Sequence, residues 1–112
     1  MARLLRDTDI PPMTATGIET LEEQTADLPR ARRNLLVGLW AAERLGLSGP
    51  DAAAYARSVM AADHARPGDE DVLAKLAGDL AAAGHAPAPA TLGARLAAAQ
   101  RSAWAQTLPH HH

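Results

Sequence analysis

From residue 30 onward, apolar side chains recur every third or fourth position, with charged or small polar residues between them. That spacing is the helical period; the strict alternation of a half-buried strand occurs nowhere along the chain. A first helix is predicted over 30–45, with Leu35, Leu39 and Ala42 on one stripe and Leu36 and Trp40 widening it. Gly46 stands where a left-handed residue closes a helix, and Leu47 is its apolar partner. A second helix opens at Ser48-Gly49-Pro50-Asp51, with Ser48 as N-cap and Pro50 in the first turn, where its missing N–H costs nothing. It runs to about residue 63, with Ala52, Tyr55, Ala56 and Val59 on one face. After a turn at Pro67-Gly68, Asp69-Glu70-Asp71 places three acids at a helix N-terminus, where the macrodipole favours them. Leu73, Leu76, Ala77 and Leu80 form the third stripe, closed by Gly84. The stretch "HAPAPA" reads as a short extended linker. Thr91 is expected to cap a last helix ending near residue 106, with Leu92, Leu96, Ala99 and Ala103 inward. Four amphipathic helices with short connections imply an all-α fold, a small four-helix bundle.

Upstream the pattern is weaker. Pro11-Pro12 stops any helix, and Met13 offers a second candidate start. Residues 18–27 are acidic and compatible with a helix, with Thr20-Leu21-Glu22-Glu23 resembling a capping box. Pro29 interrupts, pushes Leu28 out of the helical region, and is well placed to start a new helix. The expected organisation is a flexible N-terminal segment over 1–29, the bundle over 30–106, and a disordered tail over 107–112.

Composition changes this picture in one respect. The chain has 112 residues, enough for one domain, and 47% of them are hydrophobic, but many of these are alanine and none is Phe. A core built from them is thin and forms only by close helix packing, with a stability on the order of 5–10 kcal/mol. The net charge of -2 supplies no basic field for nucleic-acid binding. The absence of cysteine excludes disulfides, thiol catalysis and Cys-zinc sites. No apolar run approaches the ~18 residues of a membrane span, and the N-terminus lacks a signal-peptide core, so a cytoplasmic location is expected.

Candidate chemistry is sparse. Ser48, Ser58 and Ser102 lie in no G-x-S-x-G elbow, and the glycines form no phosphate-binding array. Asp63-His64 reads as a metal or acid/base pair, or more simply as a solvated helix C-terminus. His85 follows a cap glycine, and His110 to His112 belong to the tail. Asp69-Glu70-Asp71 lacks the spacing of an EF-hand loop. No catalytic, cofactor or metal site is predicted, and the chain is not expected to be an enzyme. Arg30, Arg32 and Arg33 form the only basic cluster; they follow Glu19, Glu22, Glu23 and Asp27. They read as a solvated helix start paired with those acids, with partner docking ahead of DNA binding.

The run "ARRNLLVGLWAAERLGLSG" over 31–49 resembles the zeta subunit of alpha-proteobacterial F-type ATP synthase, an ATPase inhibitor. The blocks that carry the resemblance are Ala31-Arg32-Arg33-Asn34, Leu36, Gly38 to Arg44, Tyr55-Ala56, Val59, Ala62-Asp63 and "GDEDVLAKLAGDLAAAG" over 68–84. It is strong over 30–85 and weaker in the last helix. The resemblance implies a four-helix bundle that acts as a regulator, without a cofactor and monomeric when free. Its partner is then the catalytic head of the synthase, made of alpha, beta and gamma subunits, which places it peripheral to the inner membrane without inserting. The family's N-terminal segment enters a catalytic interface as a helix and blocks hydrolytic rotation. Carried over, the wedge is 18–33, and the partner-binding residues are Ile18, Leu21, Leu28, Arg30, Arg32, Arg33 and Asn34. Trp40 is then the central knob of the bundle, and Gly38 admits a neighbouring helix or the Trp ring. This chain departs from the family pattern in having no Phe and in placing Pro29 at the junction. The alternative is a divergent paralogue that keeps the bundle as a protein-binding or small-anion-binding module near Arg30, Arg32 and Arg33.

Overall fold

Pro29 divides the chain into two unequal helical parts, and packing draws both into one bundle. The computed structural model describes residues 17–63 and 69–107. Among the described residues there are five helices and no strand: α1 over 17–24, α2 Pro29–Arg44, α3 Gly49–Ala62, α4 Glu70–Ala82 and α5 Pro89–Thr107. The chain is all-α as expected, but the four helices become five.

The correction comes from α1. The flexible segment was expected over 1–29, with 18–27 compatible with a helix; within it Leu21 is 2% exposed and Thr25 1%. Ile18 and Leu21 share a helical face, and that face covers a small cluster of Leu35, Ala53 and Ala56 on α2 and α3. Thr20 lies inside this helix and is not its cap. At the other end the Thr25 hydroxyl donates to the Leu21 carbonyl at 2.8 Å, which also accepts Thr25 N–H at 3.0 Å. Leu28 is extended (φ -123, ψ 90), as the residue before a proline is, and Pro29 opens α2.

α2 and α4 both end as the glycines predicted. Gly46 and Gly84 have φ of 80° and 83°. Leu47 N–H donates to Ala42 O at 2.8 Å and Gly46 N–H to Glu43 O at 3.1 Å; His85 and Gly84 repeat the pair on Leu80 and Ala81. These crossed bonds satisfy carbonyls that the helix ends leave open.

The main core joins Val37, Ala41, Val59, Val72, Leu76, Leu80, Leu92, Leu96 and Ala99. α2 is the central element, touching α3, α4 and α5. Contact on several sides widens its buried arc to Leu35, Val37, Ala41 and Ala42, while Leu36, Leu39 and Trp40 are only partly buried. On α4 the buried row is Val72, Leu76 and Leu80, flanked by Leu73 and Ala77. α5 buries Leu92, Leu96, Ala99 and Ala103 as expected. It starts two residues before Thr91, however: the Ala88 carbonyl accepts Thr91 N–H at 2.9 Å and Leu92 N–H at 3.2 Å. Pro89 opens the helix, so the linker is only 85–88.

Trp40 is not the central knob. Its ring sits at the rim of the core, with Arg44 5.3 Å and Arg95 5.0 Å from the ring centroid. The centre of the core is occupied by leucine, valine and alanine, and the ring face attracts the guanidiniums. α2 and α3 approach closely at Gly38. A Cβ there would lie 2.9 Å from the Ala56 Cα and 3.2 Å from its Cβ, so Gly38 admits α3 and not the Trp ring.

Candidate functional site

The feature that periodicity leaves unexplained is the start of α2. Arg33 is four residues before Val37 and eight before Ala41, both fully buried, so the helical period aims it inward. A buried guanidinium demands acceptors on every side. Arg33 is 1% exposed, and it finds them. Its Nε and one terminal nitrogen donate to the Asn34 Oδ1 at 3.0 and 2.8 Å. The other terminal nitrogen donates to Asp69 Oδ1 at 2.8 Å and reaches Gln100 Oε1 at 3.5 Å.

Asn34, 2% exposed, links this arginine to a second acid. Its amide nitrogen donates to Asp63 Oδ2 at 3.0 Å. The residue must accept on one side and donate on the other, which an amide does and a carboxylate does not. Arg30 closes the group from outside: Nε donates to Asp63 Oδ2 at 2.6 Å and a terminal nitrogen to Oδ1 at 2.8 Å, a two-pronged pair. Arg30 also reaches Asp69 at 3.3 Å. Arg32 points elsewhere, donating to Gln106 Oε1 at 2.9 Å on α5 and to the Glu22 carbonyl at 2.7 Å at the end of α1.

The Arg30 guanidinium, aided by Asn34 and Arg33, holds the Asp63 carboxyl below the usual carboxylate range against the upward push of burial. Asp63 is the C-cap of α3 and Asp69 the N-cap of α4. The Asp69 side chain makes no capping bond to its own helix; it serves the arginines. All three acids of the 69–71 run stand at the start of α4, as expected, and Asp69 in addition bonds the arginines. A second, smaller clasp joins α3 to α4, where Tyr55 Oη donates to Asp79 at 2.8 Å beside Lys75 Nζ at 3.0 Å. Burial pushes Asp79 up, but the bonds from Lys75 and Tyr55 outweigh it and leave the acid below its ordinary value.

The structure thus brings Arg30, Arg33 and Asn34 together with Asp63, Asp69 and Gln100. It places Ile18 half-buried and Leu21 buried against the bundle, and leaves Leu28 53% exposed. Leu28 borders an apolar groove of about 360 Å³ shared with Arg30, Met60 and Asp63. The acid and amide partners of the arginines are what the pattern missed. The inward phase of Arg33 was the available signal, because a buried arginine implies carboxylates nearby. Chemically the group is a joint between helix ends: every functional atom named is engaged by another. His64, His110, His111, His112 and Met13 lie outside the described residues. Among the described residues no group of His, Asp and Glu is arranged to hold a metal ion, and no helix is long and apolar enough to cross a membrane.

The family model for ATPase inhibitor subunit zeta matches residues 21–106, from Leu21 in α1 to the end of α5. No curated protein and no solved structure matches the chain.

Proposed function

The chain belongs to the ATPase inhibitor subunit zeta family, and on that premise we propose that it binds the catalytic head of F-type ATP synthase and restrains ATP hydrolysis. The family is regulatory, not catalytic, and its inhibitory role implies association with the synthase. The observation that carries the reading is the span of the match, residues 21–106, which takes in α2 to α5 and the second half of α1. The bundle acts as the anchor. The segment before Pro29 is the wedge, a helix entering a groove between the alpha, beta and gamma subunits with Ile18, Leu21 and Leu28 as its apolar contacts. Arg33 and Asn34 contribute indirectly, by holding the start of α2 against α3, α4 and α5.

A small-anion site at the arginines has less support. Arg30 and Arg33 are each bonded to aspartate, so an anion there would meet carboxylates as well.

Leu28 gives the test. It is 53% exposed, so a charge at this position leaves the fold intact. Burying a leucine in an interface is worth about 1.5–3 kcal/mol. The Leu28→Asp variant is therefore expected to raise the half-inhibitory concentration for ATP hydrolysis by the purified head about tenfold or more. An unchanged titration would remove Leu28 from the interface and weaken the wedge reading.

A further inference from the structure

We propose that α1 is a self-docked latch, which holds two of the wedge's apolar side chains, Ile18 and Leu21, on its own bundle and must release before they can engage a partner. The inference rests on the reading of this segment as the inhibitory one. Three contacts carry it. Leu21 is 2% exposed against Leu35, Ala53 and Ala56, with Ile18 packed beside it. At Gly17 a Cβ would lie 3.2 Å from the Ala53 Cβ, so α1 rests directly on α3. Arg32 on α2 donates to the Glu22 carbonyl at 2.7 Å, gripping the C-terminal end of α1, where the helix dipole attracts a cation.

The consequence is competition. Ile18 and Leu21 cannot cover Leu35 and Ala53 and fill a partner's groove at once. Arg32 is released by the same movement. Pro29 makes this possible: an uninterrupted helix through 29 would carry α1 along the axis of α2, whereas the break at 25–28 lets it pack beside α2 and α3. The surface left behind, Leu35, Ala53 and Ala56 with Leu39 and Met60 at its edge, is the latch's seat. Apparent affinity for the partner then falls with the fraction of molecules in the open state.

The chain has no cysteine, so a single engineered pair reports without interference. The Gly17→Cys, Ala53→Cys double variant of the full chain places two Cβ atoms close to the 3.5–4.5 Å span of a disulfide. Oxidised, the latch is locked; reduced, it is free. The measurement is inhibition of ATP hydrolysis by the purified synthase head. The reduced protein is expected to inhibit, the oxidised protein to need at least about ten times more for half-inhibition, and added reductant to restore potency.

Equal potency of both forms would overturn the latch and leave the inhibitory reading standing. Lack of inhibition by either form, with wild type equally inactive, would overturn the inhibitory reading and the latch with it. Failure of the two thiols to pair would also count against the docked arrangement. An independent variant opens the latch without touching α1: Ala53→Glu sets a carboxylate under Gly17 and Leu21. It is expected to inhibit at a lower concentration than wild type while keeping the cooperative melt of α2 to α5 and losing at most the helix content of the eight-residue α1. A folded Ala53→Glu protein with equal or weaker potency contradicts the proposal.

Discussion

Replacing Arg33 with alanine is expected to destabilise the protein by about 3 kcal/mol, the range measured when one partner of a buried ionic group is removed. The side chain is 1% exposed and fills the space between α2, α4 and α5. Without it, the Asn34 Oδ1 loses two donors and Asp69 loses its shortest bond. Asn34 is left as a buried acceptor without donors, while Asp69, 43% exposed at its side chain, keeps Arg30 and water, and a cavity opens beside them. For a chain with a core this thin, the loss is a large fraction of total stability and lowers Tm by more than about 10 °C. Arg33→Lys is not a conservative exchange here. An ammonium reaches Asp69 but does not present the planar fork that Asn34 accepts twice, so a loss of about 1–2 kcal/mol is expected. Denaturant midpoints of the two variants decide the matter. A shift below about 0.5 kcal/mol for the alanine variant would mean Arg33 is a surface residue in solution.

The second large effect is at Gly38. An alanine in a helix interior is favoured over glycine by about 1 kcal/mol, so substitution ought to stabilise if space allowed. Space does not allow it. The new Cβ would sit 2.9 Å from the Ala56 Cα, which is backbone and cannot swing aside. Gly38→Ala is expected to destabilise by about 1 kcal/mol net, and Gly38→Val, with two further carbons in the same gap, by about 3 kcal/mol. Gly78 is the control: a Cβ there meets nothing within 4 Å, so Gly78→Ala is expected to stabilise by up to about 1 kcal/mol. Thermal melts of the three variants test the helix spacing. If Gly38→Val melts with wild type, α2 and α3 are not in direct backbone contact at this point.

These two positions also mark where the sequence was legible. Gly38 was recognisable as a residue kept small for a close approach, although its neighbour proved to be Ala56 and not Trp40. The helix ends at Gly46 and Gly84 were readable because a glycine after a helical run has one common use. The inward row of α5 followed from the 3.6-residue period, and so did that of α3 apart from Tyr55, which is partly buried, and Ala53, which is buried and was not in the row. Trp40 misled because size was taken as a measure of depth. The interior is filled by leucine, valine and alanine, and the indole lies at its rim between two arginines. The start of α5 misled because Pro89 reads as a linker residue, while in the first turn of a helix it is favoured.

The site was half legible. Arg30, Arg32 and Arg33 stand out in the sequence as its basic cluster, and the resemblance adds Asn34. What could not be read was that Asp63 and Asp69, 29 to 36 positions further along, fold back to meet them. Each acid had an adequate local role at a helix end, and local reasoning stopped there. Leu21 failed for a similar reason. A short acidic stretch with few apolar residues looks too weak to order alone, and it orders only because α2 and α3 present a matching surface. Long-range partners of this kind are a property of the assembled bundle.

The central claim is that the chain restrains ATP hydrolysis through the segment before Pro29. The direct measurement is a titration of ATP hydrolysis by the purified synthase head with the full chain and with a version spanning 29–112. The shortened version has its fold checked by melting, because removing α1 uncovers Leu35, Ala53 and Ala56. Saturable inhibition by the full chain, and none by the folded shortened version, is the result this account predicts. Equal inhibition by the two would place the activity in the bundle, and no inhibition by the full chain at saturating excess would contradict the account outright.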